Sequence, residues 1–233
     1  MTRQKKDHMF RALRAAFPNT LPVLAGFMVL GIAYGVLMNS KGYGALYSAL
    51  MSAAAFCGSM QFVAITLLTT AFDPLQAFLL SLMVNARHLF YGVSMLEKYQ
   101  GLGKIRGFLI FALCDETFSL VSVQEPPEGV ERKYFYFFIS LLDYLYWVLG
   151  SFLGGLLGAV LTFNAKGLDF ALTALFVVLF IEQMRVKDRR LPGLIGVGAA
   201  LLSVMVFGAD GMVLPAMGLI LLSLLIGRKT LCR

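Results

Sequence analysis

Long apolar runs, almost empty of charge, constrain this chain more than any other feature of its sequence. About eight segments approach the roughly 17–25 residues needed to span hydrocarbon: Leu21–Met38, Gly44–Phe72, Pro74–Leu96, Arg106–Val123, Tyr134–Leu161, Asp169–Met184, Pro192–Phe207 and Met212–Gly227. Hydrophobic residues make up 59% of the chain and charged residues only 14%, against about 25% charged in soluble domains. A soluble globule of this size would lack the polar surface to cover its core. Backbone polar groups in lipid must be satisfied within the segment or by a closed barrel, and the alternation of a barrel strand is absent. The expected fold is an all-α integral membrane protein of about eight transmembrane helices embedded in a lipid bilayer.

The net charge of +7 raises nucleic acid as a partner, but the placement of the charges excludes it. Arg3, Lys5, Lys6, Arg11 and Arg14 precede the first run, and Arg185, Lys187, Arg189 and Arg190 fall between two later ones. Nucleic-acid sites gather basic residues on one face of an element. Basic loops retained on the cytoplasmic side give the pattern seen here. Both termini are expected in the cytoplasm, residues 1–20 as a basic N-terminus, and the protein in the cell (inner) membrane. The first run is long and lacks a small-residue cleavage site, so it reads as a retained helix rather than a signal peptide. Cys57, Cys114 and Cys232 show neither metal-ligand spacing nor a disulfide framework.

Two segments, Gly44–Phe72 and Tyr134–Leu161, are too long for one straight crossing. Each carries a small, flexible pair near its middle, Gly58-Ser59 and Gly150-Ser151, where a helix could be interrupted. Either they cross once as broken helices or they re-enter as hairpins, and both arrangements keep the termini inside. The order of short span, long interrupted span and polar-tipped span occurs in residues 21–96 and again in 106–190. That is the trace left by an internal repeat, with the solute site at the breaks. Residues 191–233 supply two further helices without ionisable side chains in their apolar runs.

Polar chemistry concentrates inside the apolar segments. Asn85-Ala86-Arg87-His88-Leu89-Phe90-Tyr91-Gly92 puts an arginine halfway along a span, where an unpaired charge costs several kcal/mol. Arg87 either pins two helices through a carboxylate or faces a substrate path. Cys114-Asp115-Glu116-Thr117 holds the obvious counter-charges, and one arginine neutralises only one of two acids. The other acid, with His88 as relay, suits proton coupling, while a static charge network predicts the same pairing. Around the first break, Gly58, Ser59 and Gln61 offer backbone groups and an amide to a small zwitterion, or simply allow close helix packing. Near the second break, Asp143 and Trp147 lie four residues apart. Gly150, Gly154 and Gly158 form a stripe that favours helix contact.

These residues direct the reading to transport of a small polar or zwitterionic solute. The competing readings are a passive channel and a membrane scaffold subunit. No HExxH, GxSxG or P-loop pattern is present, so no enzyme, cofactor or metal is called for.

The same motifs resemble the large subunit of AzlC-type branched-chain amino-acid transporters, the azaleucine-resistance family. The matching stretches are Gly31-Ile32-Ala33-Tyr34-Gly35, Cys57-Gly58-Ser59-Met60-Gln61-Phe62, Asn85 to Gly92, Cys114-Asp115-Glu116-Thr117-Phe118 and Trp147-Val148-Leu149-Gly150. They run in the family's order over about residues 15–160. The resemblance implies export of leucine, isoleucine and valine from the bacterial cytoplasm and a small hydrophobic AzlD-type subunit as partner. A polar cluster of Gly58, Ser59, Gln61, Asn85, Arg87, His88, Tyr91, Asp143 and Trp147 would then hold the amino-acid backbone, with Asp115, Glu116 and His88 as coupling residues.

Overall fold

The computed structural model describes residues 3–69, 73–160 and 187–227, with scattered positions between 177 and 185. The expected span Asp169–Met184, and Cys232, lie largely or wholly outside the described residues. All regular elements among those described are helical, and they fall into two compact units, Met1–Leu168 and Asp169–Arg233.

The first unit is built on α1 (Arg3–Ser40) and α7 (Arg132–Val160). The basic stretch ahead of Leu21 is helical. From Arg3 onward it forms the opening turns of α1, and the reason is packing. Ala12 and Ala16 are completely buried in a cluster with Tyr99, Leu109, Phe135 and Ile139. Pro18 and Pro22 lie inside α1 and remove two helical donors. Nearby side chains add local bonds: Asn19 Nδ2 donates to the Ala15 carbonyl at 2.9 Å and Thr20 Oγ1 to the Phe17 carbonyl at 2.9 Å. Thr20 also meets the Tyr146 hydroxyl at 3.1 Å, tying α1 to α7.

Glycine makes the α1–α7 contact possible. A Cβ added to Gly31 would lie 3.0 Å from the Ser151 nitrogen, and one added to Gly150 would lie 3.0 Å from the Phe27 carbonyl oxygen. At Gly35 and Gly154 the opposing backbone is closer still. Here the expectation of a second break fails. α7 runs unbroken through Gly150-Ser151, and Ser151 Oγ bonds back to the Trp147 carbonyl at 2.8 Å. Those small residues admit a neighbouring backbone; they do not interrupt their own.

The first break is real. α2 (Ala45–Ala55) ends at Phe56, and α3 (Gly58–Thr69) begins two residues later. Phe56 adopts the left-handed region (φ 37°, ψ 50°), which costs a non-glycine residue roughly 1–2 kcal/mol. The burial of its ring, edge-on to Phe27 and against Tyr144, holds it there. The Ala53 carbonyl near the end of α2 accepts a bond from the Tyr144 hydroxyl at 3.0 Å.

A second break occurs where none was expected, inside Arg106–Val123. After α4 (Pro74–Ser94), the chain forms α5 (Ile105–Phe111) and α6 (Asp115–Val123), separated by Ala112-Leu113-Cys114. The two breaks share local chemistry. Ala55-Phe56-Cys57 and Ala112-Leu113-Cys114 each end in a cysteine just before a helix. Each cysteine carbonyl accepts the amide four residues on, Gln61 at 2.9 Å and Phe118 at 2.8 Å.

The connections beside α4 and α6 are tied by charge. Lys98 Nζ meets Glu125 Oε1 at 2.7 Å and donates to the Ser122 and Gln124 carbonyls, both at 3.2 Å. Tyr136 donates to Glu125 Oε2 at 3.0 Å, and Arg132 donates to the Lys98 carbonyl. The Lys98 bond, followed by that of Tyr136, holds the Glu125 carboxyl below its ordinary range. A depressed carboxylate contributes stability above its unfolded-state pKa and loses it as pH falls through the folded value. The protection of amides in residues 122–132, taken relative to their intrinsic exchange rates, is accordingly expected to fall as pH drops below the usual carboxylate range. Glu125→Gln should show the lowered protection at neutral pH, and identical profiles for the two proteins would refute the latch.

In the second unit, α8 (Lys187–Gly211) and α9 (Val213–Ile226) fall on the two expected C-terminal segments. The backbone leaves helical geometry at Gly208 (φ 73°, ψ 176°). Among the described residues, three helical stretches are long and apolar enough to cross a membrane alone: Asp7–Ser40, Arg132–Val160 and Arg190–Gly208.

Candidate functional site

Arg87 lies on α4 and joins the beginnings of the two helices that follow the breaks. Its Nη1 is 2.7 Å from Asp115 Oδ2, at the first residue of α6. Its Nη2 donates to Ser59 Oγ, at the second residue of α3. Tyr91, one turn along α4, donates to the other oxygen of Asp115 at 2.8 Å and stacks on Phe118 at 4.4 Å. The expected Arg87–acid pairing is thus present, with Asp115 as the partner. Both Asp115 oxygens are engaged, whereas Glu116 forms no ion pair among the described residues.

The electrostatics follow from the helix ends. A helix N-terminus carries about half a positive charge, and two such ends lie beside the Arg87–Asp115 pair. Asp115 in the first turn of α6 suits that end. Arg87 beside the start of α3 does not, so the pair is left with an excess of positive potential toward α3. Arg87 Nε is buried and has no hydrogen-bond partner. A carboxylate arriving here would meet a charged donor, a hydroxyl and the opening amides of α3.

The neighbouring face of α4 borders a cavity of about 430 Å³. Asn85, Ala86, His88, Leu89 and Gly92 form one wall, and Phe56, Cys57 and Leu113 from the two breaks, with Ile110 and Phe111 at the end of α5, form another. Cys57 Sγ donates to Asn85 Oδ1 at 2.9 Å, and His88 Nδ1 is 3.3 Å from the Asn85 carbonyl oxygen. Polar atoms sit at the α4 edge, and the remaining surface is aliphatic and aromatic.

The other expected site residues go elsewhere. Gln61 is buried, with its amide nitrogen donating to Ser52 Oγ at 2.8 Å and its oxygen accepting from Trp147 Nε1 at 2.7 Å. Ser52 donates in turn to Ser151 Oγ at 2.6 Å. Gly58 makes room for this network: a Cβ there would lie 3.0 Å from Trp147 Cη2. Asp143 is fully buried and accepts from Thr117 Oγ1 at 3.0 Å. Gln61, Asp143 and Trp147 therefore do not line the cavity. Ser52 and Thr117 escaped the sequence reading as site residues. The signal for Ser52 was its four-residue spacing from Ser48 in an otherwise apolar helix.

Residues 22–161 match the family model described as AzlC protein. Over 97% of this chain and 89% of the relative, it is 48% identical to the branched-chain amino acid transport protein AzlC of Bacillus subtilis (strain 168). It is 41% identical to an uncharacterized membrane protein of Haemophilus influenzae, over 92% of this chain and 88% of that one. The inner membrane protein YgaZ of Escherichia coli (strain K12) is 24% identical over 74% of this chain and 71% of its own length. No solved structure matches the chain. The family match covers both breaks, the arginine of α4 and the paired acids of α6, and on that ground the chain belongs to the AzlC family of membrane proteins.

Proposed function

We propose that the chain is a secondary transporter that exports leucine, isoleucine and valine across the bacterial inner membrane. In this reading it is coupled to protons and works with a small hydrophobic AzlD-type subunit. The observation that carries the proposal is the meeting of two post-break helix starts at Arg87, beside an apolar cavity. The Bacillus subtilis relative, a branched-chain amino acid transport protein, supports the substrate class. A zwitterion exchanges one internal ion pair for two external ones. Its carboxylate takes Arg87, Ser59 and the start of α3, while its ammonium takes Asp115. The aliphatic side chain then enters the cavity among Phe56, Leu89, Ile110 and Leu113. A volume of about 430 Å³ lies within the roughly 300–1,000 Å³ range of small-molecule sites.

The finer architecture in this reading has about eight crossings, with both termini cytoplasmic. A repeat of residues 21–96 in 106–190 loses one of its two matching breaks, because α7 is continuous at Gly150-Ser151. The likeness of the breaks at Cys57 and Cys114 supports instead a repeat that pairs α2–α3 with α5–α6. Broken helices with ends aimed at a shared site are the usual furniture of such transporters.

Reconstitution into proteoliposomes, with and without the small subunit, tests the proposal through labelled leucine flux under an imposed pH gradient. Counterflow of leucine and its acceleration by the gradient are expected. No flux of leucine, isoleucine or valine in either preparation would end the branched-chain reading. Ala86→Phe should fill the cavity and weaken leucine competition about tenfold, within the 1–3 kcal/mol that a small misfit in an apolar pocket costs. Undiminished leucine competition in that variant would move the side-chain site elsewhere.

A further inference from the structure

Three acids lie close together in sequence or space around the start of α6, and their surroundings differ sharply. Asp115 has an arginine and a tyrosine on its two oxygens. Glu116 retains partial exposure. Asp143, on α7, has none. Its Oδ2 accepts from Thr117 Oγ1 at 3.0 Å, and Cys114 Sγ lies 3.3 Å from that same hydroxyl. Its Oδ1 has no hydrogen-bond partner. Ser140 lies three residues earlier, on the same face of α7. It is also fully buried, and its Oγ likewise has no partner.

No cation balances Asp143 among the described residues. The elements around it carry little charge of either sign. α1 has none after Arg14, α2 has none at all, and α5 has only Arg106. The acid facing Asp143 from α6 is Glu116, and the thiol is that of Cys114. An ionised carboxylate there would be dry, unpaired and beside a second acid, an arrangement costing several kcal/mol. The group must be neutral or hold a cation.

We propose that Asp143 is the proton-carrying group of this transporter, protonated in the conformation described here. The assignment rests on the transport reading above and moves the coupling role away from Asp115, whose two oxygens are already taken by Arg87 and Tyr91. The cycle needs no other reactant. A proton from water on one side adds to a carboxylate oxygen of Asp143, and the same O–H bond breaks when water reaches it from the other side. Thr117 links this step to the substrate. It lies two residues from Asp115 in the first turn of α6, so a zwitterion that draws Asp115 from Arg87 also displaces the hydroxyl bound to Asp143. A metal cation fits less well. Asp143, Thr117 and Ser140 offer fewer side-chain oxygens than the roughly six to eight that hard divalent cations take.

Two measurements on the full-length protein test the assignment. Infrared titration of wild type should show a protonated-carboxyl band at neutral pH that disappears in Asp143→Asn. In proteoliposomes, Asp143→Asn should keep leucine counterflow but lose accumulation driven by a pH gradient, its internal-to-external ratio falling to unity. Asp143→Glu should restore part of that accumulation. An unchanged band, or wild-type accumulation in Asp143→Asn, would overturn the proposal. So would leucine flux driven by a sodium gradient together with thermal stabilisation by sodium that Asp143→Asn removes. If wild type moves no leucine, the substrate reading fails, and the infrared band still decides the state of Asp143. Should Asp143→Asn not fold, Thr117→Val keeps the acid and is expected to shift the band's titration midpoint. An unshifted midpoint would count against the site.

Discussion

Arg87→Ala is expected to abolish leucine flux while also lowering stability. The variant leaves Asp115 with only the Tyr91 hydroxyl in place of a guanidinium at 2.7 Å. A lone charge near the middle of a membrane helix costs about 3 kcal/mol. The stability loss should be of that order, reduced to the extent that water reaches the pair. Arg87→Ala combined with Asp115→Ala removes both charges and should recover most of the thermal stability in detergent. It should not recover flux, because both ends of the zwitterion lose their partners. Flux in the double variant comparable to wild type would assign the pair to structure alone. Arg87→Lys separates charge from shape: a point charge keeps the ion pair but loses the second donor to Ser59.

Gly154→Val is expected to be the most damaging single change to the fold. A Cβ at Gly154 would fall inside contact distance of the Ile32 backbone, and no flexible side chain is available to yield. Overpacking in a core costs typically 1–3 kcal/mol, and backbone-to-backbone clashes lie at or beyond the upper end. Loss of folded, monodisperse protein after extraction is the expected result. Gly26→Ala on α1 is the matching control, since a Cβ there meets nothing within 4 Å. Equal stability of Gly154→Val and wild type would mean that α1 and α7 do not approach as closely as described.

The first break was legible because glycine and serine interrupt an apolar run too long for one crossing. The actual turning point is Phe56, which no propensity argument would select for a left-handed conformation. The second break left a weaker mark. Ala112-Leu113-Cys114 contains no glycine or proline, but Asp115-Glu116 is the acidic pair that favours a helix start. Read as counter-charges alone, those acids did not disclose that a new helix begins with them. Gly150-Ser151 misled for the opposite reason. Glycine permits both a break and a close approach, and only the presence of α1 against α7 selects between them.

Composition and the placement of charge were enough to determine a helical membrane protein, because lipid leaves a chain so poor in polar residues few other solutions. The rarity of ionisable groups inside the apolar runs likewise singled out Arg87 and its acidic partners, since each would be costly alone. Tertiary structure decided which acid pairs with arginine and which is left buried without a cation among the described residues. It also decided that Gln61 and Trp147 bond to each other rather than face the cavity. Such outcomes depend on which helix faces which, and helical spacing within one segment carries no information about its neighbour. The oxygens of Asp115 meet Arg87 and Tyr91 only because α4 packs beside the start of α6. Asp143, three helices further along the chain than Arg87, ends against Thr117 because α7 closes over the same break.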